Sequence, residues 1–188
     1  MTTMTLDNTA AGPDASNGPQ DERQVVALHL GDEVYGVDIA AINTVLTLPA
    51  ITPVPKTAPH VAGVINLRGR VLPVVDLRTR FGLPPLPEER RREARVVIAE
   101  AGGLSAGLIV DGVSEVLRLP ASAVSAPSPL VASAEADCIT GVGVLPGGRR
   151  RGDGTAGGER LILLLDVCKV LAASPEEADQ LRSLQQAA

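Results

Sequence analysis

Apolar residues along this chain fall in short segments, typically of about five to seven residues, that Gly, Pro and Asp separate. Segments of this length and spacing, rich in Val, Ile and Leu, are typical of strands in a β-barrel or sandwich. No amphipathic stretch of helical length separates them, so the pattern does not favour alternating strand–helix units. The predicted strands are Gln24–Leu30, Val34–Val37, Val61–Leu67, Val71–Val75, Arg95–Ala99, Leu104–Val110, Val113–Leu119, Ile139–Leu145 and Arg160–Leu165.

The chain also contains an internal repeat, in which the segment from Gln24 matches the segment from Arg95 at an offset of 71 residues. The aligned pairs are Val25-Val26 with Val96-Val97, Gly31 with Gly102, Gly36 with Gly107, Ile42–Leu46 with Val113–Leu117, Leu48–Ala50 with Leu119–Ala121 and, more loosely, Val64 with Val142 and Val74–Leu77 with Leu164–Val167. We expect all four glycines at hairpin turns, because glycine adopts positive φ without steric cost. The repeat predicts two similar halves of about five strands each.

Polar stretches and a helical segment set the expected boundaries. The polar composition of residues 1–22 predicts a disordered tail, and that of residues 84–93 predicts a linker or long loop. Residues 147–159, which are mostly Gly and Arg, are expected to form a flexible hairpin tip. A folded domain is expected over residues 23–172. Residues 173–188 predict a C-terminal helix, with Ser174 as its N-cap and Glu177 completing a capping box.

Composition and charge argue against several classes of function. The net charge of −5 and the small number of aromatic residues, Tyr35 and Phe81, disfavour nucleic-acid binding, which relies on basic surfaces and stacking platforms. Cys138 and Cys168 fit no metal-ligand spacing and lie in apolar runs, so we expect a reduced, cytoplasmic setting. No apolar stretch approaches the roughly 20 residues that span a bilayer, and no signal peptide is expected.

Candidate catalytic groups are few. His29 alternates with apolar neighbours in the first predicted strand, so we expect it at an exposed position. His60 has no acidic or Cys partner nearby in sequence. No dinucleotide, phosphate-loop or nucleophile-elbow motif is present, so no catalytic, cofactor-binding or metal-binding residue is predicted. Asp76 and Asp166 each end a predicted strand before a short apolar segment, which favours helix N-caps, as does the place of Asp38. A small enzyme that uses Asp76 or Asp166 is the alternative.

One segment, Gly63–Leu77, predicts a strand, a tight turn at Arg68-Gly69, a second strand and a cap. Arg68 would lie at the tip of this apolar hairpin. Arginine is enriched at the energetic centres of protein interfaces, but exposed turn arginines are also common. From the residues alone, a binding anchor and an exposed turn residue are equally supported.

At this hairpin the sequence closely resembles the CheW family of chemotaxis coupling proteins. The resemblance rests on Leu30–Ile39, Gly63–Gly69, Val71–Leu77, Val110–Leu117 and Leu161–Asp166. It implies two intertwined SH3-like five-stranded β-barrels with short helices. The first barrel would lie mainly in 23–83 and the second mainly in 94–165, with strands shared between them.

The resemblance further implies an adaptor without catalysis or cofactor. It would couple the cytoplasmic tip of a methyl-accepting chemoreceptor to the regulatory domain of a CheA-type histidine kinase, recruited to membrane-associated arrays without inserting into the membrane. The alternative is a similar scaffold in another receptor–kinase pathway, such as pilus motility. The receptor-binding residues would be Ile42, Thr44, Arg68, Val96 and Val116, and Gly63 would belong to the kinase-binding region. Family members often carry Glu where this chain has Thr44.

Overall fold

Strands make up most of the described structure, as the short Val- and Leu-rich segments predict. A computed structural model describes residues 22–127, 136–145, 160–172 and 174–186. The strands are β1 (Glu22–Leu30), β2 (Glu33–Asp38), β3 (Ile42–Thr47), β4 (Val61–Leu67), β5 (Arg70–Asp76), β6 (Arg95–Ala101), β7 (Leu104–Val110), β8 (Gly112–Pro120), β9 (Val124–Ser125), β10 (Ile139–Leu145) and β11 (Arg160–Leu165). The expected tail and the expected hairpin tip at 147–159 lie outside these residues, except that Glu22 begins β1.

The helices are short. They are α1 (Leu77–Arg80), α2 (Val167–Leu171) and α3 (Pro175–Gln186), together with 3₁₀ turns at Ile39–Ala41, Glu88–Arg90, Ala121–Ala123 and Ala136–Cys138. The hydroxyl of Ser174 accepts a hydrogen bond from the backbone N–H of Glu177 at 3.2 Å, which confirms the predicted cap of α3. The expected all-β class with a C-terminal helix is therefore confirmed.

The two halves of the chain exchange strands. Sheet A has the order β8-β1-β2-β11-β10-β9, and sheet B has the order β3-β6-β7-β5-β4. Each sheet thus takes the first two strands of one half and the later strands of the other half. This arrangement agrees with the expected intertwined, SH3-like barrels, although continuous strand pairing closes neither sheet.

Short segments partly bridge the open side of each sheet. In sheet B, Thr52 and Val64 exchange two backbone hydrogen bonds of 2.9 and 2.8 Å across the outer edge of β4. In sheet A, the two-residue strand β9 also forms a short antiparallel pairing, along the outer edge of β10, with Val142 opposite Ser125. Since the repeat aligns Val64 with Val142, the two bridges are equivalent features of the two halves.

Alternation along the strands produces three apolar cores. Successive side chains on a strand point to opposite faces of the sheet. Of two neighbouring residues, one therefore packs in the core enclosed by its own sheet, and the other packs in the central core between the two sheets. Val25 packs inside sheet A and Val96 inside sheet B, whereas Val26 and Val97 both join the central core. The later pairs Val74-Val75 and Leu164-Leu165 divide in the same way.

The four repeated glycines serve two different purposes. Gly31 and Gly102 have φ of 61° and 59° at the turns after β1 and β6, as predicted. The prediction for Gly36 and Gly107 is wrong, because both lie within strands. A Cβ on Gly36 would come within 2.9 Å of the Leu164 side chain and 3.0 Å of the Ile162 side chain, so a larger residue there would displace the packed interior of the sheet.

A buried ion pair fixes one of the points where the chain passes between the sheets. Asp111 lies between β7 of sheet B and β8 of sheet A, and Arg78 lies in α1. Arg78 Nε and Nη2 donate to the two carboxylate oxygens of Asp111 at 2.6 and 2.7 Å. The backbone N–H of Gly31 donates to the same carboxylate at 2.8 Å, and Arg78 Nη1 donates to the Pro84 carbonyl.

The electrostatics of this pair follow from its surroundings. Burial alone would raise the pKa of Asp111, but the hydrogen bonds from Arg78 and Gly31 outweigh burial and hold that pKa below its ordinary value. The ionised pair therefore ties the β1–β2 turn, α1 and the start of β8 together. Breaking only one side of such a pair leaves a buried charge without its partner.

We predict that Asp111→Ala lowers the free energy of unfolding by about 3–5 kcal/mol, because the Arg78 guanidinium loses its buried partner. The double variant Arg78→Met/Asp111→Ala should recover much of this loss, since no unpaired charge remains. Glu88→Ala is the control, because it breaks the exposed Arg91–Glu88 pair of 3.2 Å at a cost of less than about 1 kcal/mol. Urea denaturation measures all three, and an Asp111→Ala loss as small as the control would contradict the assignment.

Candidate interaction surface

The acidic residues singled out as possible catalysts are helix caps. Asp76 accepts hydrogen bonds from the backbone N–H of Arg78 at 2.9 Å and from the Thr79 hydroxyl at 2.9 Å. Asp166 accepts from two N–H groups at the start of α2, and Asp38 accepts from Ala40 N–H at 2.9 Å. The capping predictions are confirmed, and these carboxylates satisfy helix N-termini.

Asp76 does line a cleft of about 620 Å³ at one end of sheet B. The carboxylates in this cleft already have partners: Asp76 caps α1, Asp111 pairs with Arg78, and Glu88 pairs with Arg91. Neither histidine lines it. Within the part of the chain that the structure describes, no group of three His, Cys, Asp or Glu side chains is placed to hold a metal ion. The described helices include none that is both long and apolar enough to cross a membrane.

The β4–β5 hairpin has the tight two-residue turn that the sequence predicts. Arg68 and Gly69 have φ of 53° and 83°, as a type I′ turn requires, and Asn66 Oδ1 accepts a hydrogen bond from Gly69 N–H at 2.8 Å. Asn, Asp or Gly is the usual residue at the position of Arg68, because a larger side chain in the left-handed region costs about 1–2 kcal/mol. An arginine held in the left-handed region at an exposed tip is a candidate for a functional side chain.

Two arginines at this tip have no partner among the residues that the structure describes. Arg68 and Arg70 are both exposed, and neither side chain has a hydrogen bond or ion pair with any residue of the described ranges. By contrast, Arg78, Arg80 and Arg160 are each paired with an acidic residue. Within the described ranges the tip therefore presents two unpaired cations on a chain of net negative charge, which suits a partner surface rich in carboxylates.

The backbone beside the tip is also open. Val64 directs its N–H and C=O outward to Thr52, so Asn66, two residues further along β4, directs its own backbone groups to the same outer edge. The Thr52 bridge ends before this point. The cationic tip therefore continues into a short strand edge that no other described strand pairs with.

Gly63 lies directly beneath the Thr52 bridge. It has φ of 143°, and a Cβ at this position would overlap the Thr52 carbonyl oxygen. Gly141, its equivalent in sheet A, lies similarly under Val124 and Ser125. Gly63 is buried and offers no side chain. Its part in kinase docking therefore remains a prediction, in which Gly63 would act indirectly by setting the position of the Ile51–Thr52 segment.

The strands β3 and β8 form equivalent edges of the two sheets. Among the described strands each pairs with a single neighbour, and each carries a register shift in its first half. Each also exposes three consecutive residues, 43–45 in β3 and 114–116 in β8. Val45 and Val116 occupy equivalent places in these runs, with exposed fractions of 39% and 52%. Bulged edges resist pairing with other strands, so these runs offer side chains rather than backbone to a partner.

The predicted receptor residues occupy different positions. Thr44 and Val116 are exposed on β3 and β8, and Ile42 is half-buried against the central core. Val96 requires a correction: its side chain is 0% exposed inside sheet B, opposite Leu46, so it is not available for direct contact. These residues therefore lie on separate elements, with Arg68 at the β4–β5 tip.

Two surface residues were missed in the sequence analysis. Val45 aligns with Val116 at the 71-residue offset, so the repeat itself carried the signal. Arg70 flanks the predicted turn and was identifiable as a second tip cation. Its lack of an acidic partner could not be foreseen, because that depends on tertiary contacts.

The fold is an exchanged pair of β-sheets with exposed edge strands, and comparisons with known proteins define its family. Residues 24–174 match the CheW-like domain family model. The chain is 30% identical over 144 residues to chemotaxis protein CheW of Klebsiella aerogenes, covering 77% of this chain and 78% of that protein. It is 32% identical to Protein PilI of Pseudomonas aeruginosa, covering 71% and 74%.

A solved structure agrees with these matches. The scaffolding protein TtCheW from Thermoanaerobacter tengcongensis superposes with a TM-score of 0.66 at 29% identity, covering 80% of this chain and 92% of that one. The chain therefore belongs to the CheW-like domain family.

We predict that Gly63→Ala destabilises the fold clearly more than Gly69→Ala. Both glycines have positive φ, so each substitution carries about 1–2 kcal/mol of backbone strain. Only at Gly63 does the new Cβ also collide with backbone, whereas nothing lies within 4 Å of Gly69. Chemical denaturation compares the two variants, and equal losses would show that the Thr52 bridge does not depend on Gly63.

Proposed function

We propose that this protein is a non-enzymatic adaptor that couples chemoreceptors to a CheA-type histidine kinase in chemotaxis signalling arrays. Membership of the CheW-like family carries this proposal, together with relatives named chemotaxis protein CheW and a structural neighbour described as a scaffolding protein. The cap hydrogen bonds of Asp76 and Asp166 give both carboxylates a structural role, which supports action by binding.

The proposed partners are the cytoplasmic tip of a methyl-accepting chemoreceptor and the regulatory domain of the kinase. The adaptor would act in the cytoplasm and join membrane-associated arrays through the receptor. The receptor surface would use the exposed runs of β3 and β8 and the cationic tip of the β4–β5 hairpin. It comprises Ile42, Thr44, Val45, Arg68 and Val116, with Val96 acting from the interior by supporting Leu46.

The chemistry of this surface is divided between its parts. Val45 and Val116 supply apolar area, which contributes about 25 cal/mol for each Å² removed from water. Arg68 and Arg70 supply charge and direction, because a guanidinium binds a carboxylate through two parallel hydrogen bonds. The kinase would dock near the Thr52 bridge above Gly63, on the same sheet as the hairpin.

A scaffold in another receptor–kinase pathway, such as pilus motility, is the second candidate. The similarity to Protein PilI supports this second candidate, since that relative is 32% identical over 135 residues. A pull-down that identifies the bound kinase separates the two pathways. Both candidates use the same surfaces.

Reconstitution tests the proposal and the role of Arg68 together. A receptor fragment and a CheA-type kinase are mixed with the wild-type protein, Arg68→Ala or Arg92→Ala, and kinase activity and co-sedimentation are measured. We expect receptor-dependent kinase activity only with the adaptor present. Arg68→Ala should weaken recruitment by at least about tenfold, as loss of an interface arginine often does.

Arg92→Ala is the matched control, because Arg92 is an exposed arginine in the linker between α1 and β6. Equal recruitment by wild-type protein and Arg68→Ala would refute the anchor role. Kinase activity that is independent of the adaptor would refute the coupling function itself. Folding of each variant is checked by its melting temperature, which the change at an exposed tip should leave intact.

We predict that Val116→Asp weakens receptor binding by about tenfold or more, because a carboxylate placed in an apolar contact must be desolvated without a partner. Leu161→Asp is the control, since Leu161 is a similarly exposed apolar residue, 57% exposed, on β11 and outside the proposed surface. Titration of a receptor fragment against each variant measures the effect. Equal losses at Val116 and Leu161 would contradict the placement of the surface.

A further inference from the structure

An ion pair spans sheet A at the point where β11 begins. Arg160, the first residue of β11, places Nη1 3.0 Å from Oε1 of Glu115 in β8. Two strands, β1 and β2, separate β8 from β11 in the sheet, so the pair is not a contact between neighbouring strands. Arg160 shares the face of β11 that carries Ile162, which packs in the interior of sheet A. Sheet A therefore pairs this arginine with a carboxylate of its own edge strand.

Sheet B contains the same two positions. The strands β3 and β5 are the first and fourth of sheet B, as β8 and β11 are of sheet A. Thr44 in β3 aligns with Glu115 at the 71-residue offset of the repeat. Arg70 begins β5 as Arg160 begins β11, and each stands at the same distance before the later segments that the repeat aligns. Thr44 and Arg70 are therefore the counterparts of the two paired residues.

The two positions in sheet B also share one face of the sheet. Arg70 alternates along β5 with Leu72 and Val74, which pack in the interior of sheet B. Thr44 lies opposite Ile98 of β6, which packs in the same interior. Residues directly opposite each other on neighbouring strands have their side chains on the same face. Arg70 and Thr44 therefore occupy the relative positions that the ion pair occupies in sheet A.

The difference between the two sheets lies in the chemistry at these positions. Where sheet A has the Glu115 carboxylate, sheet B has the Thr44 hydroxyl. Thr44 and Arg70 are both exposed, and the Arg70 side chain has no hydrogen bond or ion pair with any residue of the described ranges. Glu100 of β6, alongside β3, accepts a hydrogen bond from Asn43 Nδ2 at 3.2 Å. The site therefore offers a guanidinium and a hydroxyl, both of which can donate to a carboxylate.

We propose that Arg70 and Thr44 form a recognition site for one Asp or Glu side chain of the chemoreceptor, which takes the place that Glu115 fills in sheet A. The assignment rests on the proposed function, because the receptor surface of that function includes the exposed run of β3 and the tip of the β4–β5 hairpin. In the complex, the guanidinium of Arg70 donates two parallel hydrogen bonds to the carboxylate, and the Thr44 hydroxyl donates a third.

The same site fixes the orientation of the receptor on the adaptor. The exposed runs of β3 and β8 are equivalent and each presents a valine, Val45 or Val116, so apolar contacts alone do not distinguish the two edges. Charge distinguishes them, because Arg160 is neutralised within the chain while Arg70 has no partner among the described residues. Charged groups at an interface contribute to register and specificity more than to affinity. A receptor carboxylate is therefore directed to the edge of sheet B.

Receptor binding by full-chain variants tests the assignment. A cytoplasmic receptor fragment is titrated with wild-type protein, Arg70→Ala, Arg70→Lys and the control Arg92→Ala at about 50 mM salt, where exposed charges are only partly screened. We expect Arg70→Ala to weaken binding by about fivefold or more, since it removes an interface ion pair. Arg70→Lys should recover part of the loss, because lysine keeps the charge but not the two parallel hydrogen bonds. Arg92→Ala should bind as the wild type does, because Arg92 lies in the linker between α1 and β6.

Substitutions at Thr44 test the same site from the other strand. Thr44→Glu supplies the carboxylate that sheet A has, so it should engage Arg70 and weaken receptor binding about as much as Arg70→Ala does. Thr44→Gln is the matched control, because its side chain has nearly the same size without the charge. Thr47→Glu adds the same charge to β3 outside the exposed run, and it should have a smaller effect. Raising the salt to about 500 mM should shrink the difference between wild-type protein and Arg70→Ala, because salt screens an ion pair but not a packing defect.

The outcomes separate this assignment from the proposed function. Wild-type protein that does not bind the receptor fragment would overturn both. Equal binding by Arg70→Ala and Arg92→Ala, equal binding by Thr44→Glu and Thr44→Gln, or an Arg70→Ala loss that does not change with salt would overturn the assignment alone. So would a loss that appears only in titrations of the kinase regulatory domain. Melting temperatures check that each variant folds, and if Thr44→Glu does not fold, the Arg70 variants and their salt dependence still decide.

Discussion

The exchange of strands between the two halves is the constraint on which the rest of the structure depends. Neither half contains a complete sheet, since each sheet takes its first two strands from one half and its remaining strands from the other. The chain must therefore pass between the sheets after β2 and again after β7. The central core forms where these strands lie back to back, and the buried Arg78–Asp111 pair fixes the second crossing.

This exchange also explains how a small scaffold can present several surfaces at fixed positions. The edge strands β3 and β8 belong to different sheets, yet both start at a crossing and both pack their first apolar residues, Ile42 and Val113, on the central core. A partner that contacts both edges would contact both halves of the chain. Transient signalling interfaces are often small, so an array gains affinity from many such contacts acting together.

Local features of the fold were predictable from the sequence because they depend on neighbouring residues. The caps at Asp76 and Asp166 and the turn at Arg68-Gly69 follow from residue chemistry at defined positions. The repeat predicted two equivalent halves but not the exchange, because an offset shows which strands correspond and not which sheet each strand joins. For the same reason, the burial of Val96 and the close packing at Gly36 appear only when the sheets are assembled. The contact between His60 and Glu177 joins residues too far apart in sequence for spacing to reveal.

The most direct test of this account is whether the two sheets unfold together. Hydrogen exchange during urea denaturation can be followed separately in peptides from β6–β7 of sheet B and from β10–β11 of sheet A. Because each sheet contains strands from both halves, we expect one shared transition, with the same midpoint and slope for both sets of peptides. Separate midpoints, with one sheet remaining protected after the other has unfolded, would contradict the central role of the exchange.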